Sequence, residues 1–275
     1  MVITSPNNPK VKHAVRLRER RQRERDGLML IEGHDELSLA LASGLRPQTI
    51  FVCPSLIRNT QHREASLWDA TLLKQAQASG AELLEVAKAV FEKMAYRENP
   101  DGWLAIAPAP RRRLADLTLS AAPLLVVAEA VEKPGNLGAI LRSADAAGVD
   151  GVIVCDPATD VYNPNVVRAS RGALFTVPVA EAAGAEALTW LRERGIKIVA
   201  ATPQAAVNYT ESDLRGPVAL AVGTEDKGLS NLWLEKADLA VRIPMRGKVN
   251  SLNVATATAL LLYEAARQRS VTSGG

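Results

Sequence analysis

A glycine-rich turn between a predicted strand and a predicted helix is the first place where this chain could carry chemistry. Residues 129–148 read EAVEKPGNLGAILRSADAAG, with Asn136 in the turn and Arg142 about one turn inside the helix. Such a turn presents unpaired backbone N–H groups and the positive end of the helix dipole, which together favour an anionic ligand. The spacing matches neither GxGxxG nor the P-loop pattern, so neither dinucleotide nor ATP binding is indicated. An ordinary turn with a surface arginine explains the same residues, and the spacing alone leaves both interpretations open.

Two further groups of polar residues follow apolar runs. In ALAVGTEDKGLS, residues 219–230, Glu225 comes just after a predicted strand, and the carboxylates of this loop suggest acid–base work or metal binding. Neither a third carboxylate nor a histidine lies nearby in sequence, which disfavours a metal cage. In IPMRGKVNSLNVATATALLLYE, residues 243–264, Ser251 and Asn253 stand before a long predicted helix and are good N-cap residues. A polar loop and simple N-capping remain as alternative explanations of these two groups.

The elements that must position these residues alternate between strand and helix. Alternation of this kind predicts a parallel sheet with helices on both faces. In open parallel sheets ligands bind at the carboxyl ends of the strands, where all three polar groups lie. Apolar runs predict strands at 123–131, 151–155, 175–180, 196–201, 217–223 and 239–244, and helical patterns lie at 137–147, 185–194 and 252–269.

The first half of the chain has its own strands and helices. A strongly basic helix is predicted over residues 10–25, which hold eight Lys and Arg against two Glu. PAPRRRLADL at 108–117 combines two prolines with three consecutive arginines and lacks apolar periodicity, so it is the best linker candidate. We therefore predict an α/β protein with a domain at 1–108, a linker at 109–117 and a second domain at 118–275. Further strands are predicted at 28–33, 48–53 and 102–107, and helices at 34–44 and 66–80.

Composition excludes several classes of protein. Of the 275 residues 47% are hydrophobic and 23% are charged, which suits a folded core rather than disorder. The net charge of +3 alone does not indicate a nucleic-acid partner. Two distant cysteines fit neither a disulfide framework nor a zinc site, and all three histidines lie in the first quarter of the chain. No signal peptide or membrane span is evident, so we expect a cytoplasmic location.

The three polar groups together resemble a known family. The runs PGNLGAILRSADAAG, AVGTEDKGLS and IPMRGKVNSLNVATATALLLYE resemble, in order and spacing, the three signature motifs of the SpoU (TrmH-like) RNA 2′-O-ribose methyltransferases of the SPOUT superfamily. The N-terminal stretch ITSPNNPKVKHAVRLRERRQRERDGLMLIEG resembles the substrate-binding domain that many of these enzymes carry. One departure is Ala255, which stands where a serine often follows the valine.

The resemblance implies a fold, a cofactor and partners. The fold is a C-terminal parallel-sheet SPOUT domain with a deep trefoil knot, preceded by a smaller N-terminal α/β domain that binds RNA. S-adenosylmethionine is the implied cofactor, a homodimer the implied assembly, and no metal is needed because the leaving group is a neutral thioether. The implied catalytic residues are Asn136, Arg142, Glu225, Ser251 and Asn253; the cofactor-binding residues are Val222, Gly223, Ile243, Met245 and Leu252; and the RNA-binding residues are Lys10, Lys12, Arg16, Arg18, Arg20 and Arg21.

The implied reaction moves a methyl group from the cofactor to a ribose 2′-hydroxyl, with ribosomal RNA favoured over tRNA as the substrate. Because guanidinium groups stay protonated in proteins, we expect Arg142 to clamp a phosphate and stabilise the developing alkoxide rather than act as a base. A tRNA methyltransferase, an antibiotic-resistance methylase of the same family and a non-catalytic RNA-binding protein remain as alternatives. A solvated surface helix is the alternative for the basic segment. A dehydrogenase is disfavoured because neither half has GxGxxG after its first strand.

Overall fold

A computed structural model describes residues 2–57 and 65–272, and the chain forms two compact units. The first unit contains Met1–Pro110 and also Tyr162–Thr176. The second unit contains Arg111–Val161 and Val177–Gly275. None of the described helices is long and apolar enough to cross a membrane.

The first unit is built around a mixed four-stranded sheet. Its spatial order is β1-β4-β2-β3, in which β4 runs antiparallel to both of its neighbours and β2 and β3 are parallel. The strands are β1 (Leu28–Glu32), β2 (Thr49–Val52), β3 (Glu82–Glu85) and β4 (Trp103–Pro108). The helices are α1 (Pro9–Arg16), α2 (Arg20–Asp26), α3 (His34–Ala42), α4 (Pro54–Ile57), α5 (Ala65–Ala78) and α6 (Lys88–Met94).

The basic segment near the N terminus is two helices, so the prediction of one helix over 10–25 is wrong. The break follows α1 at Leu17, whose side chain is buried. Arg23 on α2 is also buried, and its guanidinium donates hydrogen bonds to the carbonyl oxygens of Leu17 at 2.9 Å and Arg18 at 2.6 Å. These carbonyls lie where the first helix stops and therefore lack helical partners, and the arginine satisfies them. Arg23, one of the eight basic residues, thus stabilises the break between α1 and α2.

The second unit is a seven-stranded parallel sheet with spatial order β7-β6-β5-β10-β8-β11-β9. Every pairing in it is parallel, as the alternation of strands and helices predicts. The three strands β5, β6 and β10 are buried along their whole length, which is typical of parallel strands covered on both faces. The strands are β5 (Leu124–Glu129), β6 (Gly151–Cys155), β7 (Val179–Ala182), β8 (Lys197–Ala201), β9 (Val207–Asn208), β10 (Val218–Val222) and β11 (Leu239–Arg242).

One predicted strand of the second half differs from the observed elements, and six α-helices follow β4 in the described chain. The strand predicted at 175–180 is wrong in its first half, because residues Ala173–Thr176 are helical and β7 begins at Val179. Pro178 lies between the two, and because it lacks a backbone N–H it is suited to the position just before the strand rather than to its interior. The last helix, α12, packs along α7. The helices are α7 (Pro134–Ala147), α8 (Pro164–Ser170), α9 (Ala173–Thr176), α10 (Gly184–Glu193), α11 (Asn231–Lys236) and α12 (Val254–Thr272).

The segment expected to be a linker, residues 109–117, is packed within the second unit from Arg111 onward. Leu114–Asp116 form a single turn of 3₁₀ helix, and the side chains of Leu114 and Leu117 are buried in the hydrophobic core. Arg112 forms a β-bridge with Ala180 beside strand β7. Two leucines three residues apart on one face of the turn explain this packing.

Helices α8 and α9 belong to the first unit although they follow β6 in sequence. α8 packs against β1, and α9 packs against α3. Gly172 joins the two helices at a φ of +89°, and a Cβ at this position would come within 2.5 Å of Leu39 Cδ1 on α3. The positive φ therefore favours glycine at this position, while the Leu39 side chain packs against it.

Candidate active site

A cavity of about 520 Å³ opens at the carboxyl edge of the second unit's sheet. Its walls are the segments that follow β8, β10 and β11, together with the start of α12. This is the edge at which ligands bind in open parallel sheets. The five residues predicted to bind the cofactor all line the cavity, and so do Glu225 and Ser251; the five are Val222, Gly223, Ile243, Met245 and Leu252.

A tight loop after β10 forms one wall of the cavity. Thr224 and Gly228 exchange two backbone hydrogen bonds of 3.0 Å, which places Glu225 at the tip of the loop. Gly223 lies directly beneath this loop, and a Cβ there would come within 2.2 Å of the Gly228 carbonyl carbon and oxygen. The approach of these two backbone segments leaves room for glycine alone, so Gly223 fixes the shape of this wall.

Polar side chains from three distant parts of the sequence meet beside the cavity. The Asn253 side chain caps α12, because its Oδ1 accepts a hydrogen bond from the Ala255 N–H at 3.0 Å. Its Nδ2 donates to Asn136 Oδ1 at 3.1 Å and to Glu225 Oε1 at 3.3 Å. Asn253 is therefore both an N-cap and a bridge, and the structure brings together three of the five predicted catalytic residues.

A lysine that the sequence analysis missed completes this polar cluster. Lys133 is the N-cap residue of α7, and its ammonium group forms an ion pair with Glu225 Oε2. Hydrogen bonding and charge attraction from Glu225 raise the pKa of Lys133. Asn253 therefore bonds one carboxylate oxygen of Glu225 and Lys133 pairs with the other, so the side chain is held from both sides. The sequence offered one sign of this position, since Lys133 directly precedes the residues predicted as a turn, which the structure shows to be the first turn of α7.

One hydrogen-bond donor of the cluster has no acceptor within the described part of the chain. Asn136 Nδ2 is buried and has no hydrogen-bond acceptor among the described residues, while Asn136 Oδ1 is occupied by Asn253. A buried donor without an acceptor is costly, so this atom is suited to a ligand oxygen. The structure does not bring Arg142 to the cluster. Arg142 is exposed on α7, and its guanidinium has no hydrogen bond to any described residue.

Further residues that sequence reasoning missed lie around the cavity. Thr202 and Gln204 line it from the segment after β8, whose position at the carboxyl end of a parallel strand could have indicated them. Glu129, at the end of β5, is buried and accepts hydrogen bonds from the Ser230 backbone N–H at 2.7 Å and from its hydroxyl at 2.5 Å. These bonds tie the end of the β10 loop to the neighbouring strand.

The six predicted RNA-binding residues lie on α1, α2 and the break between them. They differ in the contacts that their side chains already make with the protein. Arg18 is half-buried and donates to the backbone carbonyls of Lys93 at 2.7 Å and Ala95 at 2.5 Å, so it holds the end of α6. Lys10 pairs with Glu82, and Arg20 pairs with Glu24 at 2.7 Å. The remaining three are exposed and have no carboxylate partner within the described part of the chain: Lys12, Arg16 and Arg21.

The cavity fits S-adenosylmethionine in size and chemistry. Its volume lies within the range of about 300–1,000 Å³ that small-molecule sites have. Apolar side chains, among them Val222, Ile243 and Leu252, can enclose an adenine ring, and the loop backbones supply N–H and C=O groups for its polar edge. Asp226 on the same wall brings a carboxylate that suits a positively charged sulfonium, while Glu225 is paired with Lys133 and Lys227 adds a positive charge.

Comparison with known proteins assigns the chain to a family. Residues 123–263 match the model of the SpoU rRNA methylase family, which covers the motifs that build the cavity. The chain belongs to this family. Residues 8–105 match a second model, described as an MRM3-like substrate-binding domain. The predictions of a SpoU RNA methyltransferase and of an α/β fold with a parallel SPOUT sheet and a small N-terminal domain are thereby confirmed.

Individual SpoU proteins resemble the chain over nearly its whole length. A 23S rRNA (uridine(2479)-2′-O)-methyltransferase of Streptomyces viridochromogenes is 33% identical over 273 residues, which is 97% of this chain and 92% of that protein. A crystal structure of an RNA 2′-O ribose methyltransferase superimposes with a TM-score of 0.84 at 43% identity and covers 98% of this chain and 100% of that one. The AdoMet-bound rRNA methyltransferase of Sinorhizobium meliloti gives a TM-score of 0.87 at 30% identity and covers 97% of each chain.

Proposed function

We propose that this protein methylates a ribose 2′-hydroxyl in 23S ribosomal RNA. The chain is an S-adenosylmethionine-dependent RNA methyltransferase, and the observation that carries the proposal is the meeting of all three motifs at one cavity. Ribosomal RNA is favoured because the Streptomyces viridochromogenes relative, named for 23S rRNA, aligns over 97% of this chain, including the first unit.

The cofactor, when bound, supplies a methyl group on a sulfonium whose departure leaves a neutral thioether. The 2′-oxygen forms the new bond to this methyl carbon, the carbon–sulfur bond breaks, and the hydroxyl proton passes to solvent. Asn136 Nδ2, the open donor of the cluster, holds the 2′-oxygen as negative charge develops on it. Glu225 stays fixed by Lys133 and Asn253 and orients the neighbouring groups rather than taking the proton. Ser251 lines the cavity and positions the cofactor.

Arg142 acts on the RNA rather than on the protein in this proposal. Its guanidinium is exposed and makes no hydrogen bond to the described residues, so its donors are available for a phosphate next to the target ribose. A planar guanidinium bonds two phosphate oxygens at once and adds positive charge beside the developing alkoxide. The proposal therefore assigns Arg142 the role of an electrostatic clamp.

The first unit binds the RNA in this proposal. Lys12, Arg16 and Arg21 contact phosphates, since they are the exposed basic residues of α1 and α2 without a carboxylate partner in the described chain. Lys10 and Arg20 would first have to leave their carboxylate partners, and Arg18 supports α6 instead.

The assembly and the chain topology are also proposals. We infer a homodimer that forms through α12, because Thr256, Leu260, Tyr263 and Arg267 lie exposed along one face of this helix. We infer a deep trefoil knot in the segments around the cavity from the family resemblance, and a cytoplasmic location from the ribosomal substrate. Sedimentation of the purified protein tests the dimer, which is expected to persist at micromolar concentration.

A methyl-transfer assay tests the proposed activity. The protein is incubated with methyl-labelled S-adenosylmethionine and, in separate reactions, with transcribed 23S rRNA, 16S rRNA or tRNA. Any RNA that becomes labelled is then hydrolysed with alkali. Label in 23S rRNA that survives as an alkali-resistant dinucleotide is the expected result, because a 2′-O-methyl group blocks hydrolysis. Label in tRNA would replace the ribosomal substrate by the tRNA alternative. Cofactor binding without transfer to any RNA would contradict the enzyme proposal and support a non-catalytic binder.

A further inference from the structure

An exposed tyrosine in the first unit is held firmly at its backbone and its hydroxyl. Tyr96 follows α6, and 43% of it is exposed to solvent. Its hydroxyl accepts a hydrogen bond from Asn165 Nδ2 at 2.8 Å, and its backbone N–H donates to Glu32 Oε2 at 2.7 Å. An exposed aromatic ring fixed at both ends has already lost much of the freedom that a ligand would otherwise have to remove.

The backbone anchor of Tyr96 is itself buried. Glu32 is 7% exposed at the end of β1 and also accepts from the Arg97 N–H at 3.2 Å. The Arg97 guanidinium donates to the Glu32 carbonyl at 2.9 Å and to Glu36 Oε1 at 2.5 Å. Buried carboxylates are costly unless they are hydrogen-bonded, and here they fix the loop that carries the tyrosine.

An exposed arginine lies next to the tyrosine through a shared partner. Asn165 on α8 donates to Tyr96 and accepts from Arg168 Nη2 at 3.4 Å, so one amide group joins the two side chains. Arg168 is exposed and has no carboxylate partner among the described residues. Its charge is therefore available to an anion beside the tyrosine ring.

We propose that Tyr96 stacks on an unpaired base of the RNA substrate and that Arg168 contacts the phosphate of that nucleotide. The proposal rests on the proposed function, since it names how the first unit reads its RNA. Proteins recognise single-stranded nucleotides with aromatic rings that stack on bases and with cations that bind the phosphates. Here one aromatic ring, Tyr96, and one cation, Arg168, are both hydrogen-bonded to the side-chain amide of Asn165. The site would distinguish an unpaired loop from a continuous RNA helix, whose bases are stacked on one another.

Steady-state methyl transfer to the rRNA that the wild type modifies tests this site. Tyr96→Phe keeps the ring but loses the hydrogen bond from Asn165, so the KM for RNA is expected to rise by no more than about twofold. Tyr96→Leu keeps apolar bulk without an aromatic face and is expected to raise this KM about tenfold with kcat nearly unchanged. If both variants raise KM equally, the hydroxyl contact rather than stacking matters, and the proposal fails. If neither raises it, the proposal also fails.

Two further measurements separate this site from a structural role and from the proposed function. Ultraviolet cross-linking of the wild-type complex is expected to yield an RNA adduct at Tyr96, and its absence would contradict stacking. Arg168→Gln is expected to weaken RNA binding and reduce its salt dependence, whereas Arg46→Gln, an exposed arginine after α3, is the matched control. A wild type that transfers no methyl group to RNA would instead overturn the proposed function itself.

Discussion

The side chain of Asn253 joins the cap of α12 to the carboxylate of Glu225. Its oxygen accepts from the Ala255 N–H at 3.0 Å, and its nitrogen donates to Glu225 Oε1 at 3.3 Å. Because the Asn253 Oδ1 atom caps the helix, the Nδ2 atom of the same amide must point away from the helix end. The start of α12 therefore determines the position of this donor. A residue that stabilises the fold therefore also sets the orientation of the polar cluster beside the cavity.

Asn253→Asp separates these two roles. The aspartate still caps α12, and we expect the free energy of unfolding to stay within about 0.5 kcal/mol of wild type. The variant loses the amide donor and places a second carboxylate beside Glu225, so kcat should fall about tenfold to a hundredfold. Denaturant unfolding and single-turnover methyl transfer measure the two effects. Equal losses of stability and activity would contradict the separation.

Gly223→Ala tests the close approach beneath the β10 loop. The added Cβ would meet the Gly228 backbone at 2.2 Å, so the loop must move, and the Kd for S-adenosylmethionine should rise about tenfold or more. Gly216→Ala is the matched control, because a Cβ there meets no atom within 4 Å. Calorimetric titration of the cofactor compares the two variants. Unchanged binding in Gly223→Ala would show that the loop adapts without cost.

Lys133→Gln removes the ion pair that holds Glu225. We expect kcat to fall about tenfold because one carboxylate oxygen loses its partner, while Lys133→Arg should keep most of the activity. Lys236→Gln, on the exposed face of α11, controls for the loss of one positive charge. Methyl-transfer kinetics at saturating RNA measure the change. Equal activity of Lys133→Gln and wild type would remove Lys133 from the cluster's function.

Arg142→Lys tests the clamp role of the guanidinium. Lysine keeps the charge but cannot bond two phosphate oxygens in one plane, so we expect kcat/KM for RNA to fall about tenfold, and further in Arg142→Ala. Cofactor affinity should be unchanged, since Arg142 does not line the cavity. The measurement is methyl transfer as a function of RNA concentration. Near-normal turnover of the lysine variant would show that charge alone suffices.

Asp26 makes the first unit sensitive to acid. Hydrogen bonds from His13, then Gln22 and Arg25, lower the pKa of Asp26 from its ordinary value of 3.8 to about 2. A lowered pKa stabilises the fold above pH 3.8, and this stabilisation is lost as the pH falls toward 2. The Tm of Asp26→Asn should therefore lie below that of wild type at neutral pH, and the gap should narrow across this window.

Much of the second unit follows from sequence, and so does the composition of the cavity. Long apolar runs such as residues 123–131 leave little choice besides a buried parallel strand, and topology then brings the carboxyl ends of those strands to one edge. The assignment of Gly223 and Leu252 to one cofactor site came instead from the resemblance to the SpoU motifs.

Side-chain partnerships could not be read in this way. Lys133 reaches Glu225 across 92 positions of sequence, and only the folded chain shows that their charges meet. The buried position of Arg23 is equally hidden, because a basic run predicts an exposed helix face whichever arginine turns inward. Helix α8 was missed because PNVVRAS is too short and too weakly periodic to reveal its apolar contacts.

Helices α8 and α9 prevent the first unit from being exchanged as one continuous segment of the chain. The chain passes between its two units three times, after residues 110, 161 and 176, rather than once. A chimera made by a single crossover near residue 110 would join the first sheet of one parent to α8 and α9 of another, with mismatched packing at Gly172 and Leu39. Exchange of the first unit between relatives must therefore carry two separate stretches of gene together, which couples the inheritance of this unit to a segment encoded inside the second half of the chain.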